Sequence, residues 1–474
     1  LPVNFDDYDI IPVVRELSAD AITPLAAFAA LAAGDAEAFL FESVERGENL
    51  GRYSFVGFDP RRSLTFDRDT REPAQLLRDE LRPLRVYNDE KLPPFFGGAV
   101  GFFGYGVAGW CERIPDSHRD ELGVPDAHLV FFDNVVVFDH VRQRLIVVAN
   151  IFTSDEHASL DEANERLEQA IDRLRRAGID LLEFPQDPPP AEFQSNFDRA
   201  GFEQMVRDAK EEIAAGEIFQ IVLGQRWETD FPTAHALTLY RALRSVNPSP
   251  YMFLLRTPEC TLVGASPEMM VRVSGDRAEL RPIAGTRPRG AGKDADAEIE
   301  ASLLADPKER AEHLMLVDLG RNDVGRVCRS GSVEVSDFCH VERYSHVMHL
   351  VTNVTGTLRD GRTPVDFFLS AFPAGTLSGA PKIRAMELID RFETVRRGPY
   401  GGAVAYFGFN GNLDSCITIR TVVLANDRAY VQAGAGIVYD SDPAYEYDEC
   451  VNKAAALKRA ISIAKALSAA SRPD

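Results

Sequence analysis

No two cysteines in this sequence stand in a C-x-x-C pair, and none of its six (Cys111, Cys260, Cys328, Cys339, Cys416, Cys450) is grouped with histidines at metal-ligand spacing. Zinc-site and redox-motif readings therefore fail, and a reducing cytoplasmic compartment is the expected home. Basic residues are also short: 52 Lys and Arg stand against 73 Asp and Glu, a net charge of −21. A phosphate backbone needs a basic face, so nucleic acid is excluded as the main partner. An anionic metabolite is not, because it responds to the local field of a cleft. No apolar run approaches bilayer length; Leu25 to Ala33 stops at Gly34-Asp35, so no membrane partner is expected. The opening Leu1-Pro-Val-Asn-Phe-Asp-Asp-Tyr-Asp9 lacks the basic start of a secretory signal. The Walker spacing is missing, as is any supported Ser/His/Asp or Cys/His set, which removes ATPase and covalent hydrolase chemistry.

What is present is enough for two to three domains: 474 residues, 45% of them hydrophobic. Segment 154–177 carries Leu160, Ala163, Leu167, Ile171 and Leu174 at helical intervals, with Gly178 as a stop. A proline-rich stretch follows from Phe184, incompatible with helix or central strand. It divides the chain into an N-terminal region 1–184, a linker 185–196 and a larger region 197–474. Strands are expected at Leu129–Phe132, Val135–Phe138, Leu145–Ile151, Ile218–Leu223, Thr261–Val263, Met269–Val273, Ala403–Phe409, Ser415–Leu424 and Ala429–Gln432. Helices are expected near 201–215, 234–245, 307–319, 364–371, 380–391 and 443–467. Tight turns at Gly275-Asp276, Asn410-Gly411-Asn412 and Asn426-Asp427 favour antiparallel pairing, so the class is α+β with large antiparallel sheets packed with helices. Gly97–Gly106 and Gly401–Asn410 echo each other as glycine-started, aromatic-rich strands.

Two segments share a grammar that bears on chemistry. Asp442 can cap a helix opened by Pro443, on which Glu446, Glu449 and Lys453 share a face. Asp306 can cap a second helix opened by Pro307, with Glu309 and Glu312 on one face. Alone, each is most simply a solvated surface. Together they offer carboxylate pairs for a hard cation such as Mg²⁺, and Lys453 offers a charge for an anion. Gly434-Ala435-Gly436 precedes the Asp442 helix and lets backbone approach a carboxylate. The loops Pro282–Gly290 and Phe372–Lys382 are rich in glycine, hydroxyls and cations. Arg420, read as mid-strand, is either a structural ion pair or a bidentate carboxylate ligand. Glu268, before an apolar strand, is a candidate general acid through desolvation. His349 is the best histidine candidate, against the plainer reading of a satisfied core residue.

With these residues assembled, the sequence resembles the chorismate-utilising enzymes, nearest to their anthranilate synthase component I branch. The carriers are Arg281-Pro-Ile-Ala-Gly-Thr-Arg-Pro-Arg-Gly290, Asp306–His313, Asp318-Leu-Gly-Arg-Asn-Asp323, Val341–His349, Phe372–Lys382 and Gln432–Ile437, with Ile11–Glu16, Phe41-Glu42-Ser43 and Gly51–Phe55 upstream. The resemblance implies that fold, with an N-terminal regulatory region, and amination of chorismate with loss of pyruvate. Members that add water carry a lysine where Gln220 stands, and aminodeoxychorismate synthases carry one where Ala284 stands; ammonia attacking directly fits both positions. It further implies Mg²⁺ on Glu312 and Glu449, with Glu309 and Glu446 in or near that shell. Gly285, Thr286, Tyr400, Arg420, Lys453 and the backbone of Gly434, Ala435 and Gly436 are the implied substrate contacts. Glu268 is the implied acid, with His349, supported by Thr376, orienting the ring. A separate glutamine amidotransferase subunit is the implied ammonia source, in a heterotetramer. L-Tryptophan is the implied inhibitor, at Glu42, Ser43, Pro250, Tyr251 and Met252. Phe41 stands where leucine is usual, Asn49 where lysine is common and Gly224 where serine is usual. The alternatives are aminodeoxychorismate synthase component I and a catalytically silent tryptophan-sensing subunit.

Overall fold

Runs such as Asn134–Asp139, with Val135, Val136 and Val137 all fully buried, can only sit in a sheet covered on both faces. The computed structural model, which describes residues 4–43, 51–87, 91–343 and 347–470, places such runs in two large sheets. Every ladder between their strands is antiparallel, the α+β architecture expected from the turn residues. In spatial order the first sheet runs Ile10–Ser18, Arg144–Phe152, Asn134–Asp139, Tyr53–Gly57, Ala38–Glu42, Tyr251–Arg256, Thr261–Ser266, Thr421–Ala425, Arg428–Ile437, Gln220–Asp230 and Gly379–Ala380. The second runs Ile283–Pro288, Val347–Thr357, Arg277–Leu280, Met269–Ser274, Leu413–Ile417, Ala403–Gly408, Gly98–Phe103, Ala127–Phe132 and Arg62–Phe66. Strands from both sides of the proline-rich segment share both sheets.

The sheets pack face to face over an aromatic core that includes Phe39, Phe55, Phe95, Phe102, Phe132 and Tyr406. Helices Leu160–Arg175, Arg199–Ala214, Ala236–Val246 and Pro443–Ala470 cover the outer face of the first sheet. Helices Pro307–Gly325 and Pro364–Ala371 cover the second. Among the described residues no helix is long and apolar enough to cross a membrane.

The two echoing glycine strands prove to be neighbours: Ala403–Gly408 pairs with Gly98–Phe103, Val404 opposite Phe102. Each supplies its partner with the flat glycine backbone that close strand packing requires. One expected strand is corrected. Ser415–Leu424 is not continuous: Leu413–Ile417 belongs to the second sheet and Thr421–Ala425 to the first. The chain switches sheets at Thr418–Arg420, where Arg420 takes a left-handed φ of 51°. Arg420 is thus a corner residue, and the β-branched run around it hides the break.

Candidate active site

The corner presents Arg420 to the C-terminal helix. Its Nη1 donates to the Lys453 carbonyl at 2.6 Å, and no carboxylate of the described residues lies within salt-bridge distance of it. Burial pulls its pKa down, partly offset by Tyr400 and Glu449 nearby. An arginine so placed offers its fork to an incoming anion. One turn before its own carbonyl contact, Lys453 pairs with Glu449 at 2.6 Å and donates to the Gly434 carbonyl at 3.0 Å. The Asp442 helix is therefore docked on the glycine strand Arg428–Ile437 by the residues singled out in sequence. Gly434 has no room for a side chain: an added Cβ would lie 2.7 Å from the Leu223 carbonyl and 2.9 Å from the Tyr400 hydroxyl. Ala435 alternates to the opposite face and is fully buried against the helices, leaving its backbone to face the site.

Asp306 caps its helix as the Asp-Pro pattern requires, accepting from the amides of Lys308 and Glu309. The same carboxylate, with Glu309, holds Arg287 at 3.0 and 2.9 Å. Glu312 accepts from Gln220 Nε2 at 3.3 Å. Burial and the neighbouring carboxylates Glu309 and Glu449 push the Glu312 pKa up, and burial does the same to Glu446. Acids from the two helices thus face one another closely enough to repel, which is the electrostatic signature a divalent cation relieves. Among the described residues no set of three His, Cys, Asp or Glu side chains converges on one cation position. Two carboxylates completed by water and substrate oxygens is what magnesium accepts, so the residues fit that ion.

Glu268 lies between strands Thr261–Ser266 and Met269–Ser274, half-buried. Burial pushes its carboxyl up to about 7, against opposing effects of a Thr376 hydrogen bond and the Lys453 charge. The Thr376 hydroxyl donates at 2.9 Å from the Gly375–Leu377 turn. His349 on Val347–Thr357 faces a bulge at Gly285, whose φ of 61° only glycine adopts without strain. Its Nδ1 donates to the Gly285 carbonyl at 2.9 Å, with the Thr286 hydroxyl 3.2 Å away. Burial lowers its pKa, so the ring is neutral at pH 7 and Nε2 carries the lone pair.

Hydrogen bonds and mutual charge effects link the sequence-selected acids, cations and glycines into one constellation. Sequence reasoning missed what lies behind it. Arg397 and Glu393 form a buried pair at 2.6 Å beneath Tyr400, and Glu393 also accepts from the Gly224 amide. Arg287, already visible in its loop, gave no sign that it would hold the Asp306 helix.

The expected feedback residues lie elsewhere. Glu42, Ser43, Pro250, Tyr251 and Met252 line one cavity of about 320 Å³ between the sheets, with Phe41, Tyr53, Phe253 and Tyr406. Among the described residues, the buried Ser43 hydroxyl at its wall has no hydrogen-bond partner. Asn49, and Tyr344-Ser345-His346 of one motif, lie outside the described residues.

Fold and site together define a class. The sequence profile of the family described as chorismate binding enzyme matches residues 36–459, and the chain belongs to that family. Within it, the chain is 45% identical to anthranilate synthase component 1 of Acetivibrio thermocellus over 475 residues, 96% of each chain. It is also 45% identical to anthranilate synthase component 1 of Thermus thermophilus, covering 96% of this chain and 98% of the relative. The crystal structure of anthranilate synthase component I from Streptococcus pneumoniae superposes with a TM-score of 0.77 at 34% identity, over 93% of this chain and 99% of that one. The menaquinone-specific isochorismate synthase of Escherichia coli shares the fold at 20% identity, with a TM-score of 0.73 over 95% and 94% of the two chains.

Proposed function

We propose that this chain is the large subunit of an anthranilate synthase, converting chorismate and ammonia to anthranilate and pyruvate, the first committed step of tryptophan biosynthesis. One observation carries the choice of nucleophile. Gln220, an amide bonded to Glu312, stands where water-adding members of the family carry a lysine base. Ammonia is a nucleophile without deprotonation, so an amide suffices there.

Arg420 and Lys453 supply positive charge for the two carboxylates of chorismate. Ammonia forms a bond to C2 of the ring while the C4–oxygen bond breaks, and the C4 hydroxyl leaves as water with a proton from Glu268. A carboxyl poised near 7 holds that proton at neutral pH and can release it. Neutral His349, fixed by the Gly285 carbonyl, orients the ring through Nε2. Loss of the C2 proton and of the enolpyruvyl group as pyruvate completes the aromatic ring. Glu312 and Glu449 are the residues to hold Mg²⁺, with Glu309 and Glu446 around them. When bound, the ion supplies a Lewis acid and a template for the ring carboxylate.

Ammonia in this reading comes from glutamine through a separate amidotransferase subunit, in a heterotetramer. L-Tryptophan is the inhibitor in the inter-sheet cavity, whose aromatic lining and orphaned Ser43 hydroxyl suit an aromatic amino acid. The six free thiols accord with a reducing cytoplasm. Incubation with chorismate, ammonium and Mg²⁺, with products identified by mass and fluorescence, tests the reaction. Anthranilate and pyruvate in equal amounts are expected; a 4-amino product retaining the pyruvyl group would instead identify an aminodeoxychorismate synthase.

A further inference from the structure

The inter-sheet cavity and the catalytic acid share two strands. Arg272, Ser274, Asp414, Ser415 and Cys416 line the cavity from Met269–Ser274 and Leu413–Ile417 of the second sheet. Glu268 immediately precedes the first of these strands, and Arg420 follows the second by a few residues. At the site end the strands are pinned together. The Ile417 amide donates to the Glu268 carbonyl at 3.0 Å, and the Ser266 hydroxyl donates to the Ile417 carbonyl at 2.7 Å.

Between cavity and pin the ladder is irregular. Met269 pairs with Cys416 and Arg272 with Asp414, so Met270 and Val271 together face Ser415 alone. Ser415 repairs this bulge with its side chain. Its hydroxyl accepts from the Val271 amide at 3.1 Å and donates to the Val271 carbonyl at 2.8 Å. At the cavity end, Arg272 and Tyr251 close on Asp414. Arg272 Nε donates to Asp414 at 3.0 Å, the Tyr251 hydroxyl donates to Asp414 at 3.1 Å, and Arg272 Nη2 donates to Tyr251 at 3.1 Å. Tyr251 belongs to the first sheet, so this triangle is also a tie between the sheets. A zwitterion entering the cavity meets a cation and a carboxylate that are now satisfied by each other, and it must compete with that pairing.

We propose that the Ser415 bulge transmits occupancy of the cavity to the active site: an amino acid that opens the Arg272–Asp414–Tyr251 triangle resets the bulge and draws Glu268 away from Thr376. Bulges are where a strand changes register locally, and here the two registers are the two states that a ligand selects between. The inference rests on the reading of the cavity as a tryptophan site and adds the route by which binding there acts.

The test separates binding from coupling in the full chain. Calorimetric titration with L-tryptophan gives affinity, and the chorismate–ammonium assay gives the rate retained at saturation, each variant measured against its own uninhibited rate. Ser415 borders the cavity, but both hydrogen bonds of its hydroxyl go to Val271, so Ser415→Ala removes the tie without withdrawing a polar group offered to the ligand. Tryptophan affinity is expected to stay close to that of the unaltered chain, while the retained fraction rises about fivefold or more. Undiminished inhibition in a variant that binds tryptophan overturns the route alone. No tryptophan binding by the unaltered chain overturns the feedback reading and the route with it. Should Ser415→Ala fail to fold, amide exchange in the unaltered chain decides: tryptophan is expected to alter protection of the Val271 and Ile417 amides, and unchanged protection overturns the route.

Discussion

Thr376 and Glu268, 108 residues apart in the chain, meet at 2.9 Å with the hydroxyl donating to the carboxylate. The bond favours the ionised acid, while burial favours the neutral one and prevails, leaving the carboxyl at about 7. In its proposed role as acid, Glu268 acts while protonated, so the rate that depends on it is expected below that pKa and lost as pH rises through it. Thr376→Val removes the hydrogen bond that, among the described residues, stabilises the charge. The alkaline limb of the pH–rate profile is expected to move to higher pH; a move to lower pH would show that Thr376 does not act on this carboxyl.

The glycine strand predicts a second outcome. Gly434→Ala sets a methyl 2.7 Å from a backbone carbonyl that cannot swing aside and 2.9 Å from the Tyr400 hydroxyl. The strands must part where Lys453 is anchored, and kcat/KM for chorismate is expected to fall about 100-fold. Steady-state kinetics checks it, with circular dichroism to establish that the fold is retained.

Beneath that strand, Glu393 and Arg397 are each only 4% exposed. Arg397 also donates to the Leu377 and Val222 carbonyls, so the guanidinium cannot leave with its partner. Glu393→Gln leaves a buried cation unneutralised, a loss of about 3–5 kcal/mol. Denaturant unfolding measures it, and an unchanged midpoint would mean that water or another acid takes the place of Glu393.

How much of this was legible depends on whether the physics is local. The Asp-Pro caps were, because a cap is decided within four residues: Asp306 accepts from Lys308 and Glu309, and Asp442 from Tyr445. Antiparallel pairing was legible from its turns, and the raised pKa of Glu268 from its apolar neighbours. The sheet switch at Arg420 was not. Cys416-Ile-Thr-Ile-Arg-Thr-Val has the propensity of one strand, and only tertiary pairing to two different sheets breaks it. Nor was the Glu393–Arg397 pair, since (i, i+4) charges read as surface until a glycine strand is laid over them. The Arg272–Asp414–Tyr251 triangle joins three strands, and no sequence spacing announces it.

In the proposed site the Asp306 and Asp442 helices form two walls of one cation-and-chorismate pocket. Mn²⁺ binding followed by electron paramagnetic resonance, with chorismate present and ammonium withheld, tests it without requiring turnover. Glu312→Gln and Glu449→Gln, one on each helix, are each expected to weaken Mn²⁺ affinity about tenfold or more relative to the unaltered chain. Mn²⁺ bound equally well by both variants would show that the two helices do not share a cation.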